Sequence, residues 1–124
     1  MGVVGVGIDV VDIARFRRSL ERTPTLRTRL FTDGELAFVA SQSDPAPSLA
    51  ARFAAREAVM KSLGLGLGAF GFHDVWVERA DSGAPSLVVS GPAAELAAAA
   101  GVARWHLSLT HSELVAAAYV IAEG

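Results

Sequence analysis

The sequence predicts an α+β fold, a largely antiparallel sheet packed against one long central helix. Three observations predict it. Residues 3–11 (VVGVGIDVV) are rich in β-branched side chains, residues 49–64 (LAARFAAREAVMKSLG) run without a helix breaker until Gly64, and two further stretches near the end flank a tight turn.

The opening stretch has a period of two that puts Val4, Val6, Ile8 and Val10 on one face and Gly5, Gly7 and Asp9 on the other. It reads as a buried strand whose glycines leave space beside a carboxylate. Asp12 then suits the N-cap of a helix with Ile13, Phe16 and Leu20 on its inner side and Arg15, Arg18 and Arg22 outside. Residues 23–31 contain Pro24 and two more arginines, a loop or broken helix. Thr32 and Glu35 have the spacing of a capping box for a short helix to about Ala40, and residues 41–47 (SQSDPAP) are turn-forming. After Ser48 comes the Ala-rich central helix, with Gly64 as its natural C′ residue.

Residues 64–71 (GLGLGAFG) form a glycine-rich connection, and residues 74–79 and 86–90 read as a hairpin around residues 81–85 (DSGAP). Pro92 suits the first turn of an Ala-rich helix to Ala100. Residues 105–110 (WHLSLT) alternate as a strand. Residues 114–123 fit helix or strand by period alone, and the turn at 111–113 favours a strand that pairs back.

A length of 124 residues fits one domain, 1–124, around one core. Apolar residues make up 52% and charged residues 19%, with a mean hydropathy of +0.39, a surplus of the kind often buried between subunits. A net charge of −2 excludes a whole-molecule basic field for nucleic acid. Cysteine is absent, so disulfides, thiolate nucleophiles and zinc–thiolate sites are excluded, and any metal must be held by carboxylate, imidazole or water. The longest apolar run, nine residues at 114–122, is short of the roughly 20 a membrane helix needs, and no basic leader precedes Asp9. The expectation is a soluble, cytoplasmic protein without nucleic-acid or membrane partners.

An aspartate inside an apolar strand is costly unless a cation or donors meet it, which singles out Asp9. It either caps the following helix or faces a cation, and Asp12 fits the cap better. Glu57 and Lys61 stand at i and i+4 and share a helix face, either as an ordinary surface ion pair or as a site. Lys61 is the only lysine among eleven basic residues, a hint that a compact ammonium is wanted there, as when one point charge meets a phosphate. His111, at a turn after a strand, suits a general base or phosphate donor as well as a structural role; His73 and His106 have less local support. Glycines 64, 66, 68 and 71 lack the GK[ST] and the strand-then-helix context of phosphate-binding loops. Residues 15–29 hold six arginines and one glutamate, which suits an acidic partner or simply a solvated face.

Taken together, Gly7-Ile8-Asp9 with Arg15-Phe16, Phe31-Thr32 with Glu35, Arg52-Phe53-Ala54-Ala55-Arg56-Glu57-Ala58 with Lys61 and Gly64, and Ser108-Leu109-Thr110-His111 resemble the holo-[acyl carrier protein] synthases, the small 4′-phosphopantetheinyl transferases. The resemblance spans nearly the whole chain in order. It implies the fold of that family and transfer of 4′-phosphopantetheine from coenzyme A to a serine of apo acyl carrier protein, with release of adenosine 3′,5′-bisphosphate. It implies Mg²⁺ held by Asp9 and Glu57, and Lys61 facing the phosphates. His111 is implied beside the coenzyme, with Arg52, Gly64 and Gly66 as further coenzyme-binding residues. For the serine proton, Glu57 or a water on the metal is preferred to His111. Arg15, Arg18 and Arg22 match the basic residues that dock the acidic carrier. The family also implies a homotrimer with interfacial active sites. Three departures stand out: Arg56 in place of a usual lysine, Leu65 in place of a frequent threonine, and Ala84 in place of a common lysine in the hairpin. The alternative is a non-catalytic coenzyme A-binding or carrier-docking module. Whether the carrier serves fatty acid or polyketide synthesis is not written in these motifs.

Overall fold

A computed structural model describes residues 2–124. Strand β1 (Val3–Asp12) leads directly into helix α1 (Ile13–Arg22), followed by the short helices α2 (Leu26–Leu30) and α3 (Asp33–Val39) and the long α4 (Ala46–Ser62). A hairpin of β2 (Val75–Arg79) and β3 (Pro85–Val89), helix α5 (Gly91–Ala99), and the strands β4 (Arg104–His111) and β5 (Val115–Glu123) complete the chain. The main sheet is antiparallel in the order β1-β5-β4, so the last strand is central and β1 and β4 are the edges. The β2-β3 hairpin is a separate two-stranded sheet. No helix among the described residues is long and apolar enough to cross a membrane.

Local signals fix most element ends. The Asp12 carboxylate accepts from the Arg15 N–H at 2.8 Å and caps α1, which buries Ile13, Phe16 and Leu20. Thr32 and Glu35 form the capping box of α3. Helix α4 starts at Ala46, so it takes the last residues of the segment expected to turn. Pro47 needs no donor in a first turn, and the Asp44 carboxylate accepts from the Ala46 N–H at 3.3 Å. At its other end Gly64 has φ +68°, its N–H reaches the Lys61 carbonyl, and the Leu65 N–H reaches Met60 at 2.8 Å. These are the paired bonds of a Schellman motif, which seats Leu65 on the core beside Met60. That packing gives the apolar residue at position 65 a structural reason.

The first strand faces the opposite way from the expected one. Its glycines leave no space: a Cβ on Gly7 would stand 1.8 Å from the Ala58 carbonyl oxygen and one on Gly5 1.8 Å from that of Ser62. The backbone of α4 itself fills the gap, and only glycine permits that approach. Small residues continue it, since Ala116, Ala118 and Ala122 of β5 and Ala54 and Ala58 of α4 are all buried. The valine face therefore points outward, with Val6, Ile8 and Val10 exposed by 52, 55 and 58%. Tyr119 and Ile121 on β5 continue this apolar face, aligned with Ile8 and Val6.

The interior forms two adjoining clusters along α4. One gathers Ile13, Phe16, Leu20, Leu30, Phe31 and Leu49 under the short helices. The other joins Val59, Met60, Phe70, Val75, Val77 and Val120 between α4, the hairpin and the sheet.

Candidate active site

Strand β1 and helix α4 run antiparallel, since Gly5 meets Ser62 and Gly7 meets Ala58. Two residues further along the same face, Asp9 comes level with the turn of α4 that holds Glu57. Lys61, one turn later, reaches across to β1: its Nζ donates to the Ile8 carbonyl at 3.0 Å and to Asp9 Oδ1 at 3.2 Å. The expected i, i+4 partner of Lys61 is Glu57, but the ammonium makes its ion pair with Asp9 instead. Glu57 is left half-buried. Burial, and then the Asp9 charge, raise the affinity of its carboxyl for a proton above the usual carboxylate value, while Lys61 offsets part of the effect. Two carboxylates and one ammonium thus converge with one negative charge in excess when all are ionised.

The remaining coenzyme-site candidates lie elsewhere. His111 ends β4, the opposite sheet edge from β1, and β5 stands between them. It lines a cleft of about 330 Å³ with Ser48, Arg52, Arg79 and Thr110. A neighbouring cavity of about 540 Å³ lies between α3 and β2 and shares Arg52 and Arg79. Neither includes Asp9, Glu57 or Lys61. Gly64 and Gly66 sit in the open turn after α4, on the Lys61 side, with no atom within 4 Å of where a Cβ would stand. Arg15, Arg18 and Arg22 project from the exposed flank of α1, which begins four residues after Asp9. Arg17 belongs to a different contact, a 2.6 Å ion pair with Asp44 that ties α1 to the start of α4.

The architecture matches known proteins throughout. The sequence profile of the 4′-phosphopantetheinyl transferase superfamily matches residues 5–122. The chain belongs to that superfamily. A holo-[acyl-carrier-protein] synthase of Streptomyces avermitilis is 53% identical over the full length of both chains. Among solved structures, the holo-[acyl-carrier-protein] synthase of Neisseria meningitidis superposes with a TM-score of 0.88 at 29% identity, covering 98% of this chain and 99% of that one. The Bacillus anthracis enzyme, solved in complex with CoA (3′,5′-ADP), superposes with a TM-score of 0.82 at 31% identity, covering 100% of this chain and 99% of that one.

Within this transferase framework, two polar constellations escape sequence reasoning. The first is Arg56, fully buried, whose Nη atoms bond both oxygens of buried Glu35 at 2.5 and 2.9 Å while Nε donates to the Phe72 carbonyl at 2.7 Å. Glu35 also accepts from the Val77 N–H at 3.1 Å, so one carboxylate joins α3, α4 and β2. A lysine could not satisfy this planar fork, which accounts for arginine at that place. The second is Phe38, whose ring faces the Arg52 guanidinium at 4.6 Å and that of Arg79 at 5.6 Å. Arg52 is buried, and burial pushes its guanidinium below its ordinary value, opposed by Glu35 and reinforced by Arg79 and Arg56. One signal pointed this way: two arginines at i and i+4, each flanked by alanines in an Ala-rich helix, need partners if that face is buried.

Proposed function

We propose that the chain transfers 4′-phosphopantetheine from coenzyme A to a serine of apo acyl carrier protein and releases adenosine 3′,5′-bisphosphate. The observation that carries this reading is the convergence of Asp9, Glu57 and Lys61 where β1 crosses α4. Its support is the 53% identity to a holo-[acyl-carrier-protein] synthase and the likeness to an enzyme solved with coenzyme A.

No group of three or more carboxylates or histidines suited to a metal occurs among the described residues. Two carboxylates fit Mg²⁺ nevertheless, because that ion prefers one or two protein oxygens with water and substrate phosphates. Asp9 and Glu57 are the residues that would hold it, and it would neutralise charge on the pyrophosphate. Lys61 would trade its bond to Asp9 for a phosphate oxygen and add a second positive charge. In the reaction the serine oxygen bonds to the β-phosphorus, the bond from that phosphorus to the bridging oxygen breaks, and adenosine bisphosphate leaves. The serine proton passes to a Glu57 oxygen, on a carboxyl whose proton affinity burial and the Asp9 charge raise.

The separation of Asp9 and His111 on opposite edge strands is the reason to read the site as shared. A homotrimer would bring the β4 edge and His111 cleft of one copy to the Asp9 side of its neighbour, and would cover Val6, Ile8 and Val10. Arg15, Arg18 and Arg22, next to Asp9 along the chain, would receive the acidic carrier. The reading places the protein in the cytoplasm.

The test is to incubate the protein with coenzyme A, Mg²⁺ and an apo carrier and to weigh the carrier by mass spectrometry. The expected result is the gain of one phosphopantetheine, abolished by a chelator and by Glu57→Gln. An unmodified carrier, with every acyl carrier protein tried, would replace this reading by that of a coenzyme-binding module.

A further inference from the structure

Lys61 is the only lysine in the chain, and arginine supplies every other permanently charged cationic side chain. Arg56 and Ala84, each in place of a lysine common in the family, leave no second side-chain amine near the site. The difference is chemical as well as geometric. A guanidinium keeps its proton and is a poor acyl acceptor, whereas an amine that takes an acyl group loses its charge. Lys61 is also open to reagents: its side chain is 54% exposed, and its bonds to the Ile8 carbonyl at 3.0 Å and to Asp9 at 3.2 Å hold Nζ at the edge of β1.

We propose that Lys61 is the single side-chain acylation site of this protein, modified by acyl phosphates and shielded by coenzyme A, and that the modification shuts the enzyme off. The shut-off rests on the transferase reading above; the modification itself does not. The choice of donor follows from the phosphate that Lys61 would meet. In an acyl phosphate the carbonyl carbon is bonded directly to a phosphate oxygen, so a phosphate paired with Nζ holds the acyl carbon beside the same amine. In an acyl-coenzyme A the thioester stands at the far end of the pantetheine arm from the diphosphate, so that ligand covers Lys61 without acylating it. In the step, Nζ bonds to the acyl carbon, the bond from that carbon to the phosphate oxygen breaks, and inorganic phosphate leaves with the electron pair. One ammonium proton goes to the phosphate and one to water. The amide that remains is neutral, so Asp9 loses its ion pair and the coenzyme loses a cation.

The experiment treats the full chain with acetyl phosphate and Mg²⁺, weighs it, places the acetyl group by fragmentation and assays carrier modification on the same samples. The expected result is one acetyl group on Lys61, with activity lost in step with the acetylated fraction. Coenzyme A or acetyl-coenzyme A at about ten times its Kd should slow the uptake about tenfold, the factor by which it empties the free site. Lys61→Arg should take up no acetyl group on any side chain, with circular dichroism reporting that it folds. Acetylation confined to the N-terminal amine, uptake at Lys61 that coenzyme A does not slow, or full activity in the acetylated protein overturns the proposal. Acetyl-coenzyme A modifying Lys61 as fast as acetyl phosphate overturns the choice of donor. An untreated protein that modifies no carrier refutes the transferase reading instead, a distinguishable outcome because the mass of the synthase is read separately.

Discussion

Glu35 does three things at once: its carboxylate closes a capping box, pairs with Arg56 and accepts a backbone N–H from β2. Replacing it by alanine strands a fully buried guanidinium. The expected cost is about 3–5 kcal/mol, the usual penalty for removing one partner of a buried pair. Urea melts would measure it, and a loss below about 1 kcal/mol would mean that water or another carboxylate reaches Arg56. Arg56→Lys should fall between, because an ammonium keeps the charge but not the fork. The sequence displayed Glu35 only as a cap, since a residue's second partner lies at a separation no local pattern reports. The same limit hid the ion pair of Lys61 with Asp9, where helical spacing offered Glu57.

At the level of elements, the helices and hairpins were legible because their signals are local: Asp12, Thr32, Gly64 and Pro92 each act within a turn of where they stand. The orientation of β1 was not. Alternation shows that a strand has an apolar and a small-polar side, and the ordinary inference sends the apolar side to the core. Here α4 lies so near that only glycine fits beneath it, and the valines are turned out. Gly7→Ala tests the point. A methyl group there meets the Ala58 carbonyl, a backbone atom, so we expect a loss of about 3 kcal/mol or more, at the upper end of overpacking costs. A melting temperature equal to wild type would mean that strand and helix separate easily. Because Asp9 follows on the same face, any such separation should also weaken coenzyme binding.

For the whole molecule, the outward valines, together with the proposal of a shared site, lead us to propose assembly of several copies. Tyr119 stands at the middle of the open face, on the central strand beside Ile8 and Ser108. Tyr119→Glu should leave the single chain folded, because the residue is 41% exposed there, yet should dissociate the oligomer. Light scattering with size-exclusion chromatography reads the mass, and carrier modification should fall together with it. A fully active monomer would show that one chain suffices. The sequence hinted at this surface through its apolar surplus alone, without locating it.

The placement of Lys61 against β1 and of His111 on the opposite edge strand has a genetic consequence. If each reaction centre borrows from two neighbours, a chain crippled at position 61 and another crippled at position 111 are not equally hopeless partners. Coexpressed, they can place an intact lysine opposite an intact histidine at some of their junctions, so two dead alleles can together sustain a living cell.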